Sequence, residues 1–388
     1  MMRGTPGPVR VLCVTPSGLA GRGGIDRLYY YLRRAGLAAL MPGVSMRFAA
    51  ARGGAPGALW PLAFPLRLAG IALELLRVRP EVVHVNFAMR GSGLRKMAVL
   101  VLARAAGART VVHLHDSLPI ASLERGGFEG RLFRAICARA DRVIALGRPS
   151  AEAMAGNGVP ADKIRVVLNG IPDFADGLPL PKPERDVVTL LLAGRVGAHK
   201  GAGILLDALA LLARRGIGGW RCVVAGDGEV EAYRTRAAAL GLADRVVFTG
   251  WLDADATHAL MREADIVVLP SRAEALPLSL AEGACAGAAL VATPVGNVAE
   301  IVQDPDNGRL VPREPEAWAE ALAGLLGRRD ELARMQLASR RRYREALTIE
   351  RFAAHLGAIY AELAEEGRGR SPSAAGPRGA ASPDQIRA

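Results

Sequence analysis

Short apolar runs recur along the chain, and most are followed, after a glycine-rich or polar break, by a longer segment with apolar residues at helical spacing. A continuous apolar run of about four to eight residues is typical of a strand buried on both faces of a parallel sheet. Strands that alternate with helices in this way predict an α/β fold in which each helix crosses over between parallel strands. The predicted strands are Val9–Thr15, Glu81–Phe87, Arg109–Leu114, Arg139–Leu146, Lys163–Leu168, Val187–Ala193, Arg221–Ala225, Arg245–Thr249, Ile266–Leu269 and Ala289–Thr293.

These strands form two series, separated by residues 173–185, which are rich in Pro, Asp and Gly and have no periodicity. Such a segment is typical of a linker. We therefore expect two doubly wound domains, over residues 1–175 and 186–347. An amphipathic pattern over residues 348–364 predicts a last helix, and the Gly-, Arg-, Ser-, Pro- and Ala-rich composition of residues 365–388 predicts a disordered tail.

The segment from Asp265 to Glu300 predicts a complete strand–helix–strand unit with two acidic residues near its centre. Glu274 lies in the loop before a helix that is predicted to begin near Leu276, and Glu282 lies inside that helix. Both carboxylates can border one crevice at the carboxyl end of the sheet, where open α/β folds bind ligands. The helix N-terminus between them attracts anions. The alternative is that both are solvated surface charges.

A glycine-rich turn follows the strand that ends at Ala193, and it carries two cations, Arg195 and Lys200. A planar guanidinium and a flexible ammonium suit contacts to an anion. The turn is not a Walker loop, because Lys200 precedes Gly201 and no Ser or Thr follows in register. The alternative, two cations that only solvate a helix N-terminus, is unfavourable without an anion because positive charge opposes the helix dipole there.

Two features of the N-terminal half have the same position relative to a strand. Gly23 and Gly24 close a glycine-rich turn between the first strand and a helix predicted over residues 25–40, and such a turn lets the backbone approach a phosphate. The turn lacks the G-x-G-x-x-G dinucleotide fingerprint. His115 follows directly after a strand, where it can donate a hydrogen bond to a sugar hydroxyl or a phosphate oxygen. A lone histidine at a strand end is more often structural.

Composition narrows the class of protein. Hydrophobic residues make up 51% of the chain and charged residues 23%, which is typical of a globular protein. The four cysteines are far apart and form neither C-x-x-C nor a Cys/His cluster, so we expect reduced thiols in a cytoplasmic protein. No signal-peptide core precedes the first strand, and no apolar run is long enough to span a bilayer.

The net charge of +12 is concentrated in the first half of the chain. Residues 1–180 hold 24 Lys and Arg against 11 Asp and Glu, a balance of +13, whereas the remainder has a balance of −1. The motifs of nucleic-acid binding are missing, so we expect no nucleic-acid partner. An anionic membrane or a lipid-phosphate acceptor explains the charge, and so does the Arg-rich codon usage of a GC-rich genome. The apolar segment Leu59–Val78 suits an interfacial helix, but such a helix more often covers a sheet, which we favour.

The ordered motifs resemble glycosyltransferase family 4, a group of retaining nucleotide-sugar transferases with the GT-B fold. In this fold, two Rossmann-like domains face each other across a cleft, and the last helix crosses back to the N-terminal domain. The resemblance extends to about residue 345. The matching motifs are the glycine pair Gly23-Gly24, His115-Asp116, G-R-x(4)-K-G at Gly194–Gly201, Gly226-Asp227-Gly228 and E-x7-E from Glu274 to Glu282.

The resemblance implies roles for these residues. Arg195 and Lys200 would neutralise charge on the departing diphosphate, His115 and Glu274 would contact the donor sugar, and Glu282 would hold the ribose. The first four form the expected catalytic set. The expected donor-binding residues are Gly23, Gly24, Gly194, Gly226, Gly228, Ala275, Leu276, Leu278 and Glu282.

Three positions depart from the family pattern. Gly147 stands where a Ser or Thr is usual, Asn297 replaces the second glycine of GG-x-x-E, and Pro277 removes a backbone N–H after Glu274. The second departure affects the surroundings of the nucleotide, and the third leaves fewer donors for a phosphate.

We therefore expect a retaining glycosyltransferase of the hexosyltransferase class (EC 2.4) that moves a sugar to a glycan, glycolipid or lipid-linked acceptor in cell-envelope or exopolysaccharide biosynthesis. No cofactor and no metal is expected, because no D-x-D triad ends a predicted strand and two cations already serve the diphosphate. The expected location is the cytoplasm, with peripheral contact to the membrane. The alternatives are a nucleotide-sugar 2-epimerase of GT-B architecture and a non-catalytic membrane-surface scaffold with a degenerate cleft.

Overall fold

The computed structural model describes residues 7–17, 23–51, 60–88, 93–116 and 127–369. Two six-stranded parallel sheets, in the orders β2-β1-β3-β4-β5-β6 and β12-β11-β10-β7-β8-β9, confirm the predicted pair of doubly wound layers. The strands are β1 Val9–Thr15, β2 Val44–Ala50, β3 Val82–Phe87, β4 Arg109–Leu114, β5 Arg142–Ala145, β6 Ile164–Val166, β7 Val188–Ala193, β8 Trp220–Ala225, β9 Val246–Gly250, β10 Ile266–Leu269, β11 Ala289–Ala292 and β12 Gly308–Leu310.

Helices connect the strands and cover both faces of each sheet, as right-handed parallel crossovers require. In the first domain they are Gly24–Arg34, Leu37–Leu40, Trp60–Val78, Gly93–Ala105, Phe128–Arg139 and Arg148–Gly156. In the remainder they are Ala202–Arg214, Val230–Ala239, Ala254–Glu263, Leu278–Cys285, Pro315–Gly327, Arg329–Ala346 and Ile349–Gly369. None of the helices in the described ranges combines the length and apolar character needed to cross a bilayer.

The strands are apolar runs because both of their faces are covered. Every residue of β3, β7, β10 and β11 is buried. One hydrophobic cluster continues from the first domain into the second, and it contains Tyr29 of the first helix, Leu280 beside the second sheet and Phe352 of the last helix. The two domains therefore share part of their core at the base of the cleft between them.

The last helix crosses back to the first domain, as predicted. Thr348 pairs with Ile171 in a short parallel bridge, so the two chain crossings between the domains run side by side. The Tyr360 hydroxyl lies 2.7 Å from Nδ1 of the buried His84, and Arg142 bonds Glu362 at 2.7 Å. The helix is anchored on the first domain by both apolar and ionic contacts.

The predicted start of a disordered tail at residue 365 is wrong for residues 365–369. The helix continues to Gly369, and Glu366 explains why, because its carboxylate pairs with Arg142 and its carbonyl accepts a hydrogen bond of 3.1 Å from Arg109. Residues 370–388 lie outside the described part of the chain.

Other boundaries differ for local reasons. The helix predicted over residues 25–40 is divided at Gly36, whose φ of 89° is left-handed. The helix that carries Glu282 begins at Leu278, after Pro277, and Gly287 lies beyond its end with φ 64°. The edge strands β2 and β12 were not predicted.

Candidate active site in the cleft between the domains

The carboxyl ends of the two sheets border a cleft of about 580 Å³. This is the edge at which doubly wound sheets bind ligands. Of the thirteen site residues expected from the sequence, the structure brings twelve together here: Gly23, Gly24, His115, Gly194, Arg195, Lys200, Gly226, Glu274, Ala275, Leu276, Leu278 and Glu282. The thirteenth, Gly228, is not among the described residues that line the cleft.

Lys200 and Glu274 form an ion pair on the second domain's wall of the cleft. The Lys200 ammonium lies 2.6 Å from Oε1 of Glu274, and the two side chains are 21% and 10% exposed. The alternative that Glu274 is a solvated loop charge is therefore wrong. An anion that enters the cleft meets an ammonium whose charge is already compensated, so it must share Lys200 with the carboxylate or displace it.

Arg195 differs from Lys200 in exposure and pairing. Its side chain is exposed at the same wall of the cleft, and no carboxylate of the described residues lies within ion-pairing distance. The guanidinium presents five donors in a planar fork, which matches the oxygen atoms of a phosphate. As far as the described residues extend, this wall combines one uncompensated cation with one compensated cation.

The glycines of this wall allow loops to lie against each other. Gly194 has a φ of 144°, and a Cβ on Gly226 would lie 2.0 Å from the Gly194 carbonyl oxygen. A Cβ on Gly228 would lie 2.3 Å from the Val196 carbonyl oxygen, and these two residues form an isolated bridge. Gly228 therefore supports the Arg195 loop, and its expected place beside the donor stays a prediction.

Glu282 is 2% exposed, which excludes a solvated helix face. Its Oε1 accepts a hydrogen bond of 2.8 Å from the Tyr31 hydroxyl and lies 3.5 Å from Nε of Arg27. Both partners belong to the first helix of the opposite domain. The carboxylate is thus oriented across the cleft through one oxygen, while its side chain still lines the cavity.

The Tyr31 hydroxyl is the centre of this contact between domains. It donates its proton to Glu282, so it must accept from Nε of Arg27 at 2.8 Å and from Nε2 of His258 at 2.8 Å. Burial and the Glu282 charge raise the pKa of Tyr31, so the hydroxyl stays protonated. The His258 ring stacks on Phe174 of the linker at 3.8 Å.

The neighbours of His115 determine which of its ring nitrogens carries the hydrogen. The Asn86 amide donates to the Val14 carbonyl at 3.2 Å, so its oxygen faces His115 Nε2 at 2.7 Å and Nε2 must carry the hydrogen. Burial, aided by His84 and Lys96, lowers the pKa of His115 to about 3. The imidazole is therefore neutral, and Nδ1 is a hydrogen-bond acceptor. Nδ1 can accept a hydrogen bond from a sugar hydroxyl but not from a phosphate oxygen, which has no hydrogen to donate. This corrects the expectation that His115 acts as a hydrogen-bond donor.

Backbone groups complete the cleft. The N-cap residue of the helix Leu278–Cys285 is Pro277, which supplies no side-chain cap. The first N–H groups of the helix therefore remain available to an anion. The preceding loop is held by two asparagines: Asn169 donates to the Leu276 carbonyl at 3.1 Å, and Asn297 to the Ala275 carbonyl at 2.9 Å. Gly23 and Gly24 line the opposite wall, and no described residue lies within 4 Å of a Cβ placed on either. Residues 18–22 of their turn lie outside the described residues.

The chain does contain D-x-D sequences, although none ends a strand of the described structure. Asp253 accepts the Ala256 N–H at 2.8 Å as the N-cap of its helix, and Asp255 bonds Arg34 at 3.1 Å. The cis peptide Asp304-Pro305 lies in the other D-x-D, where Asp304 accepts the Leu310 N–H at 2.9 Å. Structural contacts account for these three carboxylates.

Sequence reasoning missed Arg27, Tyr31, Asn169 and His258, and it treated Asn297 only as a departure from the family pattern. Arg27 lies three residues after the recognised pair Gly23-Gly24, and this proximity was the available signal. Tyr31 and His258 left no such signal, because they meet Glu282 through contacts between distant elements.

Known proteins show the same architecture. The family described as glycosyl transferase 4-like domain matches residues 8–170, and the family described as glycosyl transferases group 1 matches residues 187–328. The structure of HepE from Anabaena in complex with UDP superposes with a TM-score of 0.72 at 19% identity, over 91% of this chain and 100% of that one.

Two curated relatives are similar in sequence. The 2-deoxystreptamine N-acetyl-D-glucosaminyltransferase of Streptomyces fradiae is 30% identical over 270 residues, which are 63% of this chain and 62% of the relative. The amylovoran biosynthesis glycosyltransferase AmsK of Erwinia amylovora is 30% identical over 176 residues, 44% of this chain and 42% of the relative. The chain spans about half the length of the curated relatives it matches. With the two family descriptions matched in order on its two domains, the chain belongs to the GT-B glycosyltransferases of family 4.

Proposed function

We propose that this protein transfers a sugar, with retention of anomeric configuration, from a nucleotide-sugar donor to a hydroxyl of a glycan or lipid-linked acceptor. The observation that carries the proposal is the arrangement of charges on one wall of the cleft. This wall holds Arg195, which is unpaired among the described residues, and the ion pair Lys200–Glu274. His115 lies across the cavity from them. A diphosphate leaving group needs cations at its oxygens, and a sugar needs hydrogen-bonding groups beside them.

The donor would lie along the second domain. The uncapped N-terminus at Leu278 and the Arg195 guanidinium are suited to the diphosphate, and Glu282 is suited to the ribose hydroxyls through the oxygen that Tyr31 does not use. The relative HepE was crystallised with UDP, so UDP-sugars are the first candidates.

The proposed reaction breaks the bond between the anomeric carbon and the diphosphate oxygen, and the electron pair of that bond stays with the diphosphate. The acceptor oxygen forms the new bond on the face that the leaving group occupied, and its proton passes to a phosphate oxygen. Arg195 and Lys200 stabilise the charge that develops on the diphosphate, which is the electrostatic contribution that usually dominates catalysis. No divalent metal is required in this proposal, because these two cations serve the leaving group.

The acceptor is proposed to reach the cleft from an anionic membrane surface. Exposed leucines follow one face of the helix Trp60–Val78 at the spacing of Leu66, Leu73 and Leu76, and Arg67 and Arg77 are exposed beside them. Apolar side chains beside arginines suit the boundary between headgroups and acyl chains. AmsK is named for the biosynthesis of an exopolysaccharide, which supports an acceptor in envelope or exopolysaccharide synthesis.

A thermal-shift screen of UDP-, GDP- and ADP-sugars tests the donor site. One nucleotide class should raise Tm by several degrees at saturating concentration, and Glu282→Gln should abolish the shift. Arg234→Ala, an exposed residue paired with Glu231, is the matched control. A shift that persists in Glu282→Gln, or none with any nucleotide sugar, would overturn the assignment. Turnover then separates a transferase from an epimerase, which forms no glycosylated acceptor, and from a scaffold, which has no turnover.

A further inference from the structure

The helix Arg148–Gly156 of the first domain is capped by the second domain. Its N-cap residue is Gly147, which has no side chain to accept a hydrogen bond. Asn297 Oδ1 instead accepts the Ser150 N–H at 3.2 Å, and Glu300 Oε1 accepts the Arg148 N–H at 2.7 Å. The Ser150 N–H is the third of the helix, which a Ser or Thr at the N-cap ordinarily satisfies.

Space, and not backbone conformation, requires glycine at position 147. Its φ of 175° is extended and open to any residue. A Cβ there would lie 2.5 Å from Oδ1, 2.7 Å from Cγ and 2.8 Å from Cβ of Asn297. The Asn297 side chain therefore occupies the place that an ordinary cap residue would use.

The same asparagine holds the loop that carries Glu274. Asn297 is 1% exposed, and its amide nitrogen donates to Ser150 Oγ at 2.7 Å and to the Ala275 carbonyl at 2.9 Å. Its backbone N–H bonds that carbonyl again at 3.0 Å. A Cβ on the preceding Gly296 would lie 1.8 Å from the Glu274 carbonyl oxygen, so the two loops are in direct contact.

We propose that Asn297 is a positioning residue that caps the helix Arg148–Gly156 across the domain boundary and thereby links the geometry of the 274–276 loop to contact between the domains. Separation of the domains would leave the Ser150 N–H without its cap and would remove the Ser150 contacts that orient the Asn297 side chain toward the Ala275 carbonyl. The cap follows from geometry alone, whereas its effect on catalysis rests on the proposed transferase activity.

Four proteins test the cap: wild type, Gly147→Ser, Asn297→Gly and the double variant. Glycine is the necessary replacement at position 297, because even an alanine Cβ would lie too close to a Cβ at position 147. Asn297→Gly should lower Tm by about 2–4 °C, the shift expected for one lost cap. Gly147→Ser should lower Tm in the wild-type background, where it overlaps Asn297. In the Asn297→Gly background the same substitution should raise Tm, by about 1 °C, because the introduced hydroxyl can cap the helix itself.

Gly127→Ser is the matched control. Gly127 is also the uncapped N-cap of a helix, Phe128–Arg139, but no described residue lies within 4 Å of a Cβ placed there. Its effect on Tm should have the same sign with and without Asn297. If Gly147→Ser behaves like Gly127→Ser, with one sign in both backgrounds, the cap across the domains is overturned.

Hydrogen exchange and kinetics test the positioning. Backbone exchange of residues 274–279 should be faster in Asn297→Gly and should stay fast in the double variant, although its Tm recovers in part. KM for the donor should rise about twofold to tenfold in both, the loss expected for one hydrogen bond. Unchanged exchange in Asn297→Gly would overturn the positioning role. If wild type shows no turnover, the proposed function has failed, while the Tm and exchange results still decide the cap.

Discussion

At the scale of single residues, the two cations of the cleft differ in what surrounds them. Lys200 is neutralised by Glu274 at 2.6 Å, whereas Arg195 has no carboxylate partner in the described part of the structure. In the proposed reaction, Arg195 would make the first contact with the diphosphate. Lys200 would become available when Glu274 contacts the donor sugar, so the two residues would act at different moments.

Arg195→Ala and Lys200→Ala should each lower kcat by about 10²–10³, as for other lost donors to developing negative charge. Neither side chain belongs to the core, so circular dichroism should show a folded protein for both variants. Arg234→Ala, exposed and paired with Glu231, should keep wild-type turnover. Wild-type kcat in either cleft variant would remove that residue from the mechanism.

The buried His84 and His113 and the half-buried His115 make stability depend on pH. Burial lowers the pKa of His84 and His115 to about 3 and that of His113 well below its ordinary value. In the unfolded chain they titrate near 6.5, so above that pH both states are neutral and the contribution is complete. As pH falls below 6.5, only the unfolded state binds protons and stability is lost, by about 1.4 kcal/mol per pH unit and histidine.

Urea unfolding between pH 7 and pH 4 should therefore show a steep decline in the free energy of unfolding. His113→Leu should reduce the slope by about one proton, whatever its effect on absolute stability. His355→Gln, at an exposed site of the last helix, should leave the slope as in wild type. An unchanged slope in His113→Leu would show that His113 is not held neutral in the folded protein.

The sequence predicted which residues line the cleft better than it predicted their ion pairing and protonation. Arg195, Lys200, Glu274 and Glu282 were recognisable because they match ordered motifs of the family. Their partners were not, because Tyr31 and Glu282 are 251 residues apart and meet only in the fold. The protonation of His115 likewise depends on how the Asn86 amide is oriented.

At the scale of elements, buried strands were predicted most reliably. β4 and β10 have the predicted bounds because both faces of each are covered, which makes the apolar run continuous. β2 alternates between exposed and partly buried residues at the sheet edge, and β12 has only three residues. Neither pattern differs from that of a loop, which explains why both were missed.

Gly170 is closely packed at the point where the chain crosses between the domains. A Cβ on Gly170 would lie 2.3 Å from the Thr348 carbonyl oxygen and 2.6 Å from Cβ of Phe352. Gly170→Ala should destabilise the protein by about 1–3 kcal/mol, the usual cost of overpacking, as measured by chemical unfolding. Gly218→Ala, where nothing lies within 4 Å, is the control and should have little effect. Equal stability of both variants would contradict the tight crossing.

At the scale of the whole molecule, the proposed contact with an anionic membrane would involve the first domain. Residues 1–180 carry a balance of +13, and the exposed leucines of the helix Trp60–Val78 lie in this half. Each basic residue near an anionic surface contributes about 1 kcal/mol, and the attraction weakens as salt shortens the Debye length from about 10 Å at 0.1 M to about 3 Å at 1 M.

The protein should therefore sediment with liposomes that contain anionic lipid at low salt and be released at 1 M salt. Replacing Leu66, Leu73 and Leu76 together by Ser should weaken binding. Leu337→Ser, at a leucine of the second domain that is exposed about as much as Leu73, should not. Equal binding to neutral and anionic liposomes, or none to either, would leave Arg-rich codon usage as the explanation of the charge balance.

The most direct test of the account is donor turnover by the purified protein, followed by proton NMR in the presence of EDTA. With the nucleotide sugar that raises Tm, we predict that the donor signal disappears, that nucleoside diphosphate accumulates and that the first sugar product keeps the donor's anomeric configuration. Lys200→Ala should slow this at least about 100-fold. No donor consumption, activity that EDTA abolishes and Mg²⁺ or Mn²⁺ restores, or a product of inverted configuration would contradict the account.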